Sequence, residues 1–147
     1  MQLSETVKLY MTREQKSLIT ATMTEYINTV NSLVSDATNG ISISKYTTAD
    51  VKANLPSALT NQCIRDAKSI VKKYNKACRD ADRKNTKLAK QGKAIKAVAT
   101  IPVLRKPCCY INNQNYKVNG ECVEFPVMVN GKSKRLSVKT KMTDNQK

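Results

Sequence analysis

The sequence predicts an α+β fold: a small antiparallel β-barrel, wedge-like, interrupted by an inserted helical recognition lobe. Three observations lead to it. The N-terminus alternates apolar and polar residues, the middle carries two long stretches at helical spacing, and the last third returns to period two around Asn-Gly pairs. At 147 residues the chain can build one core, or two small lobes sharing one.

Each element has its own justification. In residues 3–11, Leu3, Val7, Leu9 and Met11 share one face, with Thr6, Lys8 and Tyr10 opposite, the pattern of a half-buried strand. Thr12 then offers an N-cap and Gln15 completes a capping box. Ile19, Met23, Tyr26, Val30 and Leu33 follow at helical spacing, so a first helix runs to about Ser35 and stops before Asn39-Gly40. Residues 36–47 read as a loop, with a short extended piece at Ile41 to Ile43. Thr47 with Asp50 caps a short helix ending near Leu55, and Pro56 opens the next one, where a missing N–H costs little.

That second long helix carries two stripes. Leu59, Cys63, Ala67, Ile70, Tyr74, Ala77 and Ala81 form an apolar one; Arg65, Lys68, Lys72, Lys76, Arg79 and Arg83 form a basic one on the opposite side. Residues 84–100 continue basic, with Gly92 as an interruption, and read as a fraying helix end or a linker. From Ile101 onward, Cys108 to Ile111 reads as a strand. Two hairpins follow, around Asn119-Gly120 and Asn130-Gly131. Four strands here plus the N-terminal one suffice for a small barrel. The expected organisation is a first barrel strand (1–11), a helical lobe (12–100) and the remaining barrel strands (101–147).

Charge narrows the function. The net charge is +15, and residues 61–147 supply all of it with 21 basic and 6 acidic side chains, whereas residues 1–60 balance at five of each. Such asymmetry implies a polyanion-facing half, with nucleic acid the first candidate and anionic membrane the second. Only Asp66, Asp80 and Asp82 are acidic between residues 61 and 106, and an ordinary solvated face mixes signs more evenly. The basic stripe is the expected phosphate-binding surface; Lys132, Lys134 and Arg135 after the last turn read equally as a second contact or as charges that protect an edge strand. Tyr110 and Tyr116, near Asn112-Asn113-Gln114-Asn115, read first as buried sheet tyrosines and second as groups that stack on or hydrogen-bond to bases.

Catalysis is not expected. The chain has no His, no C-x-x-C pair and no Gly-rich phosphate loop. Among its carboxylates, the last third offers only Glu121, Glu124 and Asp144, and the first two differ in strand parity. No metal site or cofactor is expected. The five cysteines are odd in number and two are adjacent, which fits buried small hydrophobes in a reducing cytoplasm. Neither a secretory leader nor a bilayer-spanning run is legible.

Four segments in order resemble the transposon-encoded TnpB (OrfB) family of RNA-guided nucleases. They are Val7-Lys8-Leu9-Tyr10 followed by Thr12-Arg13-Glu14-Gln15; Leu55-Pro56-Ser57-Ala58-Leu59-Thr60-Asn61-Gln62-Cys63-Ile64-Arg65-Asp66-Ala67; Pro102-Val103-Leu104-Arg105-Lys106; and Asn113-Gln114-Asn115-Tyr116 through Phe125-Pro126. The resemblance implies a wedge-type barrel with an inserted recognition lobe that binds guide-type RNA and a short DNA motif flanking the target. It implies base reading by Gln62, with Asn61 beside it, and backbone contacts from Arg105 and Lys106. Ala58 stands where some members carry lysine, so the motif preference departs from theirs. The family's nuclease domain, with its carboxylates and zinc ribbon, belongs after the barrel, so this chain reads as a truncated member or an N-terminal portion. The implied partners are structured RNA, double-stranded DNA and a nuclease supplied by a separate domain or chain. Two other readings accompany it: a stand-alone helix-turn-helix-like DNA-binding repressor, and a docking protein for an acidic partner or anionic membrane.

Overall fold

The computed structural model describes residues 6–95, 97–111, 114–129 and 131–141. Leu3, Lys96, Asn112, Asn113, Asn130 and Asp144 lie outside the described residues. In chain order the elements are β1 (Lys8–Tyr10), α1 (Arg13–Thr38), α2 (Ser57–Lys90), β2 (Lys117–Asn119), β3 (Cys122–Val129) and β4 (Lys132–Lys141). The fold is α+β, with an antiparallel sheet in the order β1-β4-β3-β2.

Helix α1 starts where the capping box places it. Thr12 Oγ1 accepts from the Gln15 amide at 3.2 Å, and Gln15 Oε1 accepts from the Thr12 amide at 3.0 Å. Gln15 Nε2 also donates to the Ser137 carbonyl at 2.9 Å, so the same side chain ties the helix start to β4. The buried stripe is wider than the sequence reading: Ile27, Val34, Thr22 and Thr29 join it. The two threonines are satisfied because their hydroxyls donate to the carbonyls of Leu18 and Glu25. Both helices end in the same way. The amides of Gly40 and Ile41 bond back to Ala37 and Asp36, and those of Gly92 and Lys93 to Ala89 and Leu88. Each glycine has φ near +90° or +70° (91° and 68°), the left-handed residue a Schellman stop requires.

The helices share one core. Tyr26, Val30, Leu33 and Val34 of α1 pack with Leu59, Cys63, Ile64 and Ala67 of α2, and Ile43 and Leu55 from the connecting loop close the space between them. Near the start of α2, Cys63 donates to the Tyr26 carbonyl; farther along, Val71 lines a groove with Ala37. The helices therefore advance in the same sense, and the 39–56 connection runs back along them.

The sheet departs from the expected barrel. It is open, with the three-residue strands β1 and β2 as its edges. The predicted strand at Cys108 to Ile111 is absent, because Pro102 and Pro107 cannot donate to a ladder and this stretch packs on the helices instead. The backbone leading up to it is held by side chains. Asn31 of α1 exchanges two bonds with the Leu104 backbone (2.8 and 2.9 Å), and Asn85 of α2 does the same with Ala97 (2.8 and 3.0 Å). Without that fifth strand, four strands do not close.

Other expectations are corrected locally. The helix at 47–55 is only a turn: Asp50 accepts from Thr47, while the Asn54 amide is taken by Glu25 at 3.2 Å, and Pro56 disfavours helical backbone just before it. β3 and β4 pair antiparallel as the second expected hairpin requires, with Val129 opposite Lys132. The earlier hairpin turns one residue later than Asn119-Gly120 implies. Asn119 pairs with Cys122, so Gly120 and Glu121 make the turn, and Gly120 takes the positive φ at its first position. Pro126 sits within β3 opposite Arg135, past the three residues that pair with β2, so its missing donor takes nothing from that ladder.

Candidate functional site

The site is built on α2, whose 34 residues span about 50 Å. Its buried residues, Leu59 to Ala67, all lie in the first third. From Val71 onward the inner side narrows to a half-buried seam of Val71, Tyr74, Cys78, Ala81, Asn85 and Leu88, spaced three and four apart. Cys78 takes the seam position and Ala77, placed in the stripe by sequence, is exposed. The second half of the helix is thus an arm, held on one side by the seam and free on the other.

That free side is cationic. Arg65, Lys72, Lys76, Arg79 and Arg83 are exposed, whereas Lys68 is half-buried at the shoulder of the ridge. Among the described residues no ion pair ties these cations to a carboxylate. Asp66, the nearest acid in sequence to Arg65, is turned inward: it accepts from the Tyr26 hydroxyl and, at 3.0 Å, from Gln62 Nε2. Asp80 and Asp82 are exposed on the same helix but, among the described residues, pair with none of these cations, so the ridge keeps an excess of positive charge. Neighbours such as Lys72 and Lys76, or Arg79 and Arg83, stand one helical turn apart, and each like-charged pair costs roughly 0.2–0.5 kcal/mol of helix stability. A helix needed only for packing gains nothing from that repulsion.

The arm also extends the ridge. Residues 84–90 are helical, so Lys87 and Lys90 continue the line from Arg83 at spacings of four and three. The sequence reading stopped at Arg83 because it took Gly92 for an interruption. The signal was present: the cation spacing does not change before Gly92, which is the stop itself.

The remaining candidates are dispersed. Asn61 is exposed on the second turn of α2, but Gln62 is half-buried and its amide nitrogen is committed to Asp66. Arg105 and Lys106 are exposed just beyond the Asn31 clamp. Lys132 and Lys134 are exposed on the face of β4 that carries Val138 and Thr140, and Arg135 points to the other face, so the three do not form one patch. Tyr110 is not a sheet residue: it is 61% exposed and meets the fully buried Tyr26 edge-on, with ring centroids 6.4 Å apart.

The five cysteines are free, and no cluster of three or more metal-ligating side chains occurs among the described residues. No helix among them is long and apolar enough to cross a membrane. Burial, reinforced by the Asp66 carboxylate, pushes the Cys63 thiol up to about 12, and burial beside Cys108 pushes Cys109 up to about 11. Raised folded values mean that the folded chain keeps protons the unfolded chain loses. The stabilisation is complete below the ordinary thiol value of 9.0 and is lost as pH rises through 11 and 12. Urea midpoints are expected to fall between about pH 8 and pH 10.5, and less so in a Cys63→Ala, Cys109→Ala double variant. An equal fall in both proteins would assign the effect to other groups.

Compared with protein-family models, curated proteins and solved structures, the chain matches none at a significant level.

Proposed function

We propose that this chain is a non-catalytic nucleic-acid-binding module that holds structured RNA along the cationic side of α2. One observation carries the reading: a line of lysines and arginines, exposed and without carboxylate partners among the described residues, on a helical arm whose other side faces the fold. Phosphates recur along a nucleic-acid backbone, so such a line neutralises several at once and releases their counterions.

Within this reading the chain serves as the N-terminal module of a TnpB-like protein, binding guide-type RNA and target-flanking DNA in the cytoplasm, with cleavage left to a separate domain or chain. The pairing of β1 with β4 supports it, since the helices then lie in sequence between strands of one sheet, as an inserted recognition lobe requires. The four strands would form part of the wedge. Asn61, exposed, is the better placed base reader, because the amide nitrogen of Gln62 is already taken by Asp66.

Anisotropy titrations of a structured RNA across about 50–500 mM salt test the proposal. Seven exposed ridge cations, from Arg65 to Lys90, imply a log–log slope of roughly −5 to −6 when all are engaged. A flat profile, preference for duplex DNA over the RNA in competition, or binding to anionic vesicles without RNA binding would overturn it.

A further inference from the structure

Beside the ridge lies an open groove of about 640 Å³, walled by Gly40–Ser44 after α1 and by α2. Its floor is aliphatic, made by Ala37, Ile41 and Val71, while Lys68, Lys72 and Arg79 stand along its α2 wall with Asn75 between them. Ile41 is 50% exposed, a large apolar side chain held in contact with water. The Schellman stop at Gly40 aims this loop, and the buried Ile43 anchors it beneath α2.

Two chemistries meet here that a packing surface does not need together. The aliphatic floor suits a flat, weakly polar group, and the wall suits an anion attached to it. The volume falls within the range of small-ligand clefts, about 300–1,000 Å³. A continuous duplex cannot enter such a groove, because its bases are stacked inside; an unpaired nucleotide can, with its base on Ile41 and Val71 and its phosphate on Lys72 and Arg79. Asn75 presents an amide, donor and acceptor together, to the edge of that base.

We propose that this groove seats one unpaired nucleotide of the bound RNA, so that the chain selects RNA carrying a bulge or single-stranded step beside a helix. The inference rests on the ridge binding RNA and adds a shape preference that the ridge alone does not provide.

The test compares an RNA hairpin bearing a single 2-aminopurine bulge with the same hairpin fully paired, using the whole chain. The bulged RNA is expected to bind about tenfold more tightly, close to 1.4 kcal/mol. Its fluorescence should rise on binding, since the base leaves its stacked neighbours for a groove without an aromatic lining. Ile41→Ser should remove the preference and the rise while leaving affinity for the paired hairpin within about twofold, because the change takes away the apolar floor without altering the charge beside Lys72 and Arg79. Equal affinity for the two RNAs with unchanged fluorescence would overturn the groove and leave the ridge standing. Failure of both RNAs to bind would overturn the ridge and the groove with it.

Discussion

Replacing Lys72, Lys76 and Arg79 together by glutamate is expected to weaken structured-RNA binding at least about a hundredfold at low salt, and to flatten the salt slope by roughly two to three units. These three are exposed, consecutive along the ridge and without carboxylate partners among the described residues. Each reversal removes a phosphate contact and adds a repulsion. Stability should change little: the pairs 72/76 and 76/79 stay like-charged, those with Lys68 and Arg83 become attractive, and those with Asp80 and Asp82 become repulsive. Lys68 is deliberately excluded: it is half-buried, and reversing it would confuse packing with binding. The informative control reverses Lys8, Arg13 and Lys16, also exposed but on β1 and the first turn of α1, for the same change in net charge. If the control loses as much affinity as the ridge variant, binding depends on net charge alone and the ridge has no special role. Circular dichroism of both variants separates either result from unfolding.

Local signals were legible in the sequence and long-range ones were not. Thr12 and Gln15 fix the start of α1 within four residues, and the Asn-Gly pair at 130–131 marks the step from β3 to its antiparallel partner β4, because turn and cap chemistry act between near neighbours. The two faces of α2 follow from helical period alone. The lost strand at Cys108 to Ile111 could not be read, because Cys108, Cys109 and Ile111 pack against a core built by helices distant in sequence, and the approach to them is pinned by Asn31, 73 residues from Leu104. The turn at Gly120 illustrates a subtler limit: Asn119-Gly120 favours one register, but pairing of Asn119 with Cys122 shifts the turn by one residue. The site follows the same division. The ridge was legible; the capture of Gln62 by Asp66 was half legible as a four-residue spacing, and the Tyr26 hydroxyl that completes it comes from another helix.

Tyr26→Ala is expected to cost about 3–5 kcal/mol, which against a typical total of roughly 5–15 kcal/mol is enough to unfold a large fraction of the chain at 37 °C. Tyr26 is fully buried at the centre of the helix–helix contact. Its ring meets Tyr110, its carbonyl accepts from Cys63, and its hydroxyl donates to Asp66. Burial, then the Asp66 carboxylate, keeps that hydroxyl protonated well above the ordinary tyrosine range. Tyr26→Phe divides the effect. The ring stays and no large cavity opens, but Asp66 loses a donor in a part-buried setting, a cost of about 1–3 kcal/mol. Asp66→Ala alone leaves the tyrosine hydroxyl without its acceptor, and the double variant leaves neither group unpaired. The two single costs should therefore exceed the double cost by about 1 kcal/mol or more in urea unfolding. Strict additivity would mean that the hydroxyl and the carboxylate are satisfied independently. RNA affinity of Tyr26→Phe should stay within about twofold of the parent while the fold holds, since none of these groups reaches the ridge. Loss of affinity in a folded Tyr26→Phe protein would instead show that this pair sets the angle at which α2 carries its cations.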